Sequence, residues 1–233
     1  YTALTGRMPM PPLWTLGYHQ SRWGYSPDTE VKDVAKTLRD KRIPTDGIWL
    51  DIQHMDGFRS FTWDAKTFPD PAGLIAGLEK DGFKTTLIVD PGIKVDSGWS
   101  IYSQGVADGH FLLGLDGQPF VGEVWPGAAV FPDFSAAKTR TWWGTLLAPS
   151  LELGVRDLWI DMNEPASFKV TDGRTVPDEV PANGDGQATT MAEIHNVYAL
   201  LEAKATWEGM KAAAPNRRPF VLTRAGYAGE QRY

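Results

Sequence analysis

Leu158-Trp159-Ile160-Asp161-Met162-Asn163-Glu164-Pro165 is the stretch whose reading decides the fold. Apolar residues run up to a carboxylate, an amide and a second carboxylate follow, and a proline then breaks the pattern. Such a run predicts a short buried strand ending at Asp161, then a loop that Pro165 turns away. An acid at the mouth of an apolar strand is costly to bury unless something pairs with it or uses it. A cap or an ion pair accounts for one such acid. Two carboxylates, an amide and an indole at one strand end are more specific. Asp161 and Glu164 also suit a cation, but no nearby His or Cys supplies further ligands.

Outward from this stretch the pattern recurs. Residues 13–17, after the proline-rich 9–12, read as a first strand, with Tyr18, His19 and Gln20 just past its end. Ser26-Pro27-Asp28 starts a helix, and Val31, Val34, Ala35 and Leu38 follow at helical spacing. Residues 47–50 form a second strand ending in Asp51, and 85–89 a third ending in Asp90. Between them Pro71 opens a helix with Leu74, Ile75 and Leu78 on one face. Residues 98–134 read as a long loop, of a length that is functional or carries small elements of its own. Residues 138–153 predict one helix with Trp142, Leu146 and Leu147 as its apolar side. Residues 170–189 read as a polar surface loop insertion, 191–214 as one long helix, and 219–223 as a fifth strand ending in Arg224.

Alternating strands and helices predict a parallel sheet with helices outside. The expectation is an α/β fold, a (β/α)8 TIM barrel, of which residues 1–233 supply about the first five β/α units as one partial catalytic domain. Asp51, Asp90, Asp161 and Arg224 stand at equivalent C-terminal ends of four strands, the face on which barrel active sites are built. An open doubly wound sheet is the rival fold, but no glycine-rich phosphate turn follows the first strand.

Composition narrows the function. The chain is 42% hydrophobic and 22% charged, ordinary for a protein that buries a core. A net charge of -6 argues against a nucleic-acid partner, which wants a basic face. A neutral, hydroxylated ligand fits better, and some of the ten tryptophans are candidates to stack on its apolar faces. With no cysteine, neither a disulfide framework nor a thiolate metal site forms. No apolar run reaches membrane-spanning length. The start at Tyr1, without methionine or a signal-like segment, is read as that of an excised piece of a soluble protein whose compartment stays open.

Trp159-Ile160-Asp161-Met162-Asn163-Glu164 resembles the nucleophile signature of glycoside hydrolase family 31, the alpha-glucosidase family. The likeness extends over nearly the whole chain. Residues 51–58, with Phe61-Thr62-Trp63-Asp64 behind them, are similar to the family's second-strand segment, and Ile88-Val89-Asp90-Pro91 to its third. Val124-Trp125-Pro126-Gly127 resembles the loop whose tryptophan walls the sugar site, and Arg224 matches a substrate-binding arginine. The resemblance implies Asp161 as catalytic nucleophile and Glu164 as a supporting carboxylate that holds Arg224 or a ligand hydroxyl. It implies Asp51, Asp90, Trp125, Trp159, Met162 and Arg224 as substrate-binding residues. Gln53 departs from the pattern, since many relatives carry an acid there. The family's general acid/base follows an Arg-Tyr pair like Arg232-Tyr233, so it is expected beyond Tyr233, and the isolated piece is expected to be inactive and unstable.

The implied reaction is retaining hydrolysis of a terminal, non-reducing alpha-linked glucose from an oligosaccharide, with no cofactor and no metal. Asp161 would attack while a second carboxyl protonates the leaving oxygen. Arg224 and backbone donors are expected to hold the Asp161 pKa down. An alpha-xylosidase or other alpha-glycosidase shares the motif. A non-catalytic carbohydrate-binding barrel would use the same pocket. A metal-dependent hydrolase using Asp51, His54 and Asp56 is weaker, because the four histidines are scattered. His54 reads as a loop hydrogen-bonding group and His195 as a packing or surface residue.

Overall fold

A computed structural model describes residues 1–168 and 175–233. In chain order it contains α1 (Thr2–Thr5), β1 (His19–Gln20), α2 (Asp28–Asp40), β2 (Gly47–Leu50), α3 (Pro71–Lys80) and β3 (Lys84–Val89). Next come β4 (Ile93–Lys94), α4 (Ser100–Ala107), β5 (Val121–Val124), β6 (Gly127–Val130), α5 (Ala137–Leu146) and α6 (Ala148–Glu152). The remainder is β7 (Asp157–Ile160), β8 (Pro181–Ala182), β9 (Thr189–Thr190), α7 (Met191–Ile194), α8 (Tyr198–Ala213) and β10 (Val221–Thr223).

Five strands form one parallel sheet in the order β1-β2-β3-β7-β10. Sequential strands are therefore neighbours and helices fill the connections, as in an incomplete (β/α)8 barrel. Ile48, Leu50, Leu87, Val89 and Leu158 point outward into the main core with Leu74, Ile75, Leu78 and Phe83. Alternate residues turn to the other face, where Ile88 packs with Ile52, Met55 and Trp159. Helix α3 begins as its sequence requires: Asp70 Oδ1 accepts from Gly73 N at 2.8 Å, and Pro71 takes the first turn, where a missing N–H costs nothing.

Four local expectations change. Residues 13–16 are a 3-10 turn, and the first strand is His19–Gln20, paired with Gly47 and Ile48. Of the apolar run there Trp14 stacks on His19 at 5.3 Å between ring centres, while Leu13 is 83% and Leu16 74% exposed. The helix expected over 138–153 breaks into α5 and α6, because Pro149 at the start of α6 cannot donate to the preceding turn. Its core side adds Thr139, Trp143 and Gly144 to the expected Leu147, while the expected Trp142 and Leu146 pack against the core half-buried. Gly144 sets that rotation, since a Cβ there would meet Gly209 Cα of α8 at 3.0 Å. The long helix divides into α7 and α8 around a 3-10 turn at His195–Val197.

The loop expected over 98–134 carries α4 and the β5–β6 hairpin, which pairs antiparallel with β4. Of the insertion expected at 170–189, residues 170–174 lie outside the described residues; the rest holds the β8–β9 pair. Among the described residues no helix is long and apolar enough to cross a membrane.

Candidate active site

The period of two along a strand decides what faces inward. Trp49 and Asp51, Ile88 and Asp90, Trp159 and Asp161, Leu222 and Arg224 are four such pairs, each one strand position apart from its twin on the outer face. Register then lines up the tips. Val89 pairs with Ile160, and Ile160 with Thr223, so Asp90, Asp161 and Arg224 follow in one row across three strands. Leu50 pairs with Leu87, which leaves Asp51 two residues lower against β3.

At the tips of β7 and β10 the guanidinium of Arg224 bridges two acids. Its Nε and Nη2 donate to Glu164 Oε1 and Oε2, both at 2.8 Å, a bidentate pair. The same Nε lies 3.2 Å from Asp161 Oδ1, and Nη1 is 3.4 Å from Asp161 Oδ2. Met162, directly after Asp161, adopts φ 57, a left-handed conformation unusual outside glycine, and its Sδ sits 3.2 Å from Arg224 Nη2. That turn brings Glu164 back beside Asp161 over only three residues.

Burial and charge set the protonation of each acid. Burial raises the Glu164 carboxyl, but the hydrogen bond and charge of Arg224 outweigh it and leave Glu164 below its usual range. At Asp161 the expected pull of Arg224 and of a backbone donor is present, but burial outweighs it. Burial raises it, Arg224 and the Met162 backbone N–H pull it back, and Glu164 and Asp51 push it up again, so that it ends above the ordinary carboxylate range. The arginine spends its two best hydrogen bonds on Glu164, which leaves Asp161 only the longer contacts. Asp90 is 5% exposed, and its Oδ1 has no hydrogen-bond partner. Burial, then Asp161 and Asp51, drive it to about 8 against the pull of Arg224, so it holds a proton at neutral pH. Burial also raises Asp51, partly offset by the Ile52 N–H that its Oδ1 accepts at 2.7 Å.

A cavity of about 530 Å³ opens at these tips, lined by His19, Ser21, Trp49, Trp159, Asp161, Leu222 and Arg224. Its floor is an aromatic relay. Trp49 Nε1 donates to His19 Nδ1 at 2.9 Å, His19 Nε2 donates to Trp14 O at 3.1 Å, and Trp49 lies 5.9 Å from Trp159. Asp161, Trp159 and Arg224 share this wall. Met162 is buried behind Arg224, and Trp125 stands apart, in contact with Trp23 at 6.3 Å and Phe168 at 5.0 Å between ring centres.

Several of these residues carry no signal at the level of motif. Trp23 is 69% exposed and sits in the loop directly after β1, a placement that only the corrected first strand makes visible. Gln53 packs against Gly24 of that loop, where a Cβ would come within 1.9 Å of Gln53 Oε1. His54 is a loop anchor: burial lowers it to about 4, and its neutral ring donates from Nδ1 to Asp51 O at 2.8 Å. His195 Nε2 lies 2.9 Å from Thr175 Oγ1. Among the described residues no three His, Asp or Glu side chains are grouped to hold a metal ion.

Comparison with known proteins agrees with this fold. The family model for the glycosyl hydrolases family 31 TIM-barrel domain matches residues 8–233. Alpha-glucosidase 2 of Bacillus thermoamyloliquefaciens is 46% identical over 233 residues, all of this chain and 29% of that protein. A crystal structure of glucosidase II alpha subunit in an alpha3-Glc2-bound form superposes with a TM-score of 0.91 at 34% identity, over 98% of this chain and 25% of that one. A Flavobacterium johnsoniae family 31 dextranase complexed with isomaltotriose gives 0.90 at 32% identity, over 100% of this chain and 28% of that one. The chain thus spans between a quarter and a third of the length of these proteins.

Proposed function

The chain belongs to glycosyl hydrolase family 31, and from that premise we propose that it carries the nucleophile side of a retaining alpha-glucosidase site. One observation carries the reading. Asp161 lines the cavity, 3.2 Å from a guanidinium, and among the described residues no hydroxyl or amide side chain donates to its oxygens. Its Oδ attacks the anomeric carbon of a terminal alpha-linked glucose, the glycosidic C–O bond breaks, and a glycosyl ester forms on Asp161. Attack needs the ionised form, and Arg224 is the cation that favours it against burial.

The departing oxygen needs a proton from the opposite side of the sugar ring. Glu164 is held ionised by Arg224 and has none to give. Asp90 keeps a proton but lies in the same row as Asp161, on the nucleophile's side. The donor is therefore a carboxyl other than these, and it later activates the water that hydrolyses the ester. Asp51 and Arg224 bind sugar hydroxyls by charge-assisted hydrogen bonds, and Trp159 and Trp49 wall the cavity against water.

The test is trapping of the full-length protein with a 2-deoxy-2-fluoroglucosyl reagent, followed by peptide mass mapping. The expected result is one glucosyl unit on Asp161, and no labelling of the Asp161→Asn variant. A label on another side chain, or an inverted anomer released from an aryl alpha-glucoside, removes Asp161 from the role.

A further inference from the structure

The mechanism above leaves one fully buried polar side chain of the nucleophile loop without a task. Asn163 lies between the two acids that Arg224 bridges, yet its side chain turns away from the cavity. Its Nδ2 donates to Thr223 Oγ1 at 2.8 Å, and its Oδ1 accepts from Ala225 N at 3.2 Å. Thr223 Oγ1 in turn donates to Ala225 O at 2.7 Å. These are the residues immediately before and after Arg224, whose own N–H donates to Ile160 O at 3.2 Å.

We propose that Asn163 is a positioning residue that clamps β10 on both sides of Arg224 and so fixes the guanidinium against Asp161. The loop then holds the arginine twice: Glu164 and Asp161 grip its charged end, and Asn163 grips its backbone. The rear grip matters because a guanidinium on a free strand tip follows its bidentate partner, Glu164, and leaves the nucleophile. Glu202 of α8 is fully buried, with neither carboxyl oxygen in a well-formed hydrogen bond, and Asn163 is the group that favours its charge. Burial first, then Asp90, Glu230 and Asp161, push its carboxyl well above the usual range, and it makes no ion pair with Arg224 among the described residues.

This inference rests on the nucleophile reading of Asp161, and the experiment separates the two. In the full-length protein, Asn163→Ala lowers kcat on an aryl alpha-glucoside about a hundredfold, the cost of an ångström-scale misplacement, and Thr223→Val about tenfold. In both, the acidic limb of kcat/KM moves to higher pH, because Arg224 is the cation that lowers Asp161 and the other groups facing it, Glu164 from its own loop, Asp51 from β2, Asp90 from β3 and Glu202 from α8, supply no positive charge. A purely structural role leaves that limb in place. Thr223→Val keeps side-chain shape and serves if Asn163→Ala folds poorly. Loss of activity that only tracks loss of folded protein by circular dichroism, with the limb unmoved, overturns the clamp while Asp161→Asn stays dead. Near-normal turnover by Asp161→Asn overturns the reading beneath it.

Discussion

The tips of β7 and β10 and the tip of β3 hold the same kind of group and stabilise its charge to different degrees. Asp161 and Glu164 share one guanidinium, and Asp161 lines the cavity beside it. Asp90, one strand away in the same row, is sealed, leaves an oxygen without a partner and keeps its proton. A single cation cannot serve a whole row of acids. Where its hydrogen bonds reach, Glu164 is held below its usual range and Asp161 is pulled part of the way back; one position further, burial and like charge make the neutral acid the stable form.

Removing the cation gives the largest expected effect. Arg224→Leu leaves Glu164 and Asp161 uncompensated, and kcat/KM of the full-length protein on an aryl alpha-glucoside falls about a thousandfold, the upper end for a single electrostatic contact. Its acidic limb also moves up in pH. A loss under about tenfold, with the limb unmoved, would break the contrast between the two tips.

Neutralising the sealed acid sharpens the same contrast through stability. Between 3.8 and about 8 the folded protein keeps a proton on Asp90 that the unfolded chain has released, so this residue makes stability fall as pH rises through that window. Asp90→Asn abolishes the ionisation, and its melting temperature relative to the parent should rise steadily from pH 4 to 8. Asp157, buried and also driven to about 8 mainly by desolvation, is present in both proteins and cancels. Parallel melting curves for parent and variant would show that Asp90 is ionised.

The smallest effect concerns a third region, the exposed aromatics outside the row. Trp23→Ala should raise KM for an oligosaccharide about three- to tenfold, the scale of one aromatic contact, and leave an aryl monoglucoside unaffected. Equal effects on both substrates would place Trp23 against the first sugar.

Much of this architecture was legible residue by residue. Asp51, Asp90, Asp161 and Arg224 stood out because each ends an apolar run, and alternation within a strand is a local property. The first strand lies later than the apolar pattern suggests because residues 13–16 turn as a 3-10 helix that leaves Leu13 and Leu16 exposed and stacks Trp14 on His19. Trp23 was lost with it. The split of α5 from α6 was visible in Pro149, whereas the rotation that buries Trp143 depends on Gly144 meeting Gly209, a contact between residues far apart in the chain.

By itself the sequence determined which groups stand at the strand tips and that they share one face, since backbone geometry fixes the two-residue period wherever a strand forms. Only the tertiary structure decided which tips align, which acid Arg224 holds best, and that Asp161 ends raised rather than lowered. Register, desolvation and Coulomb energy are sums over neighbours brought together by folding, and no window of sequence contains them.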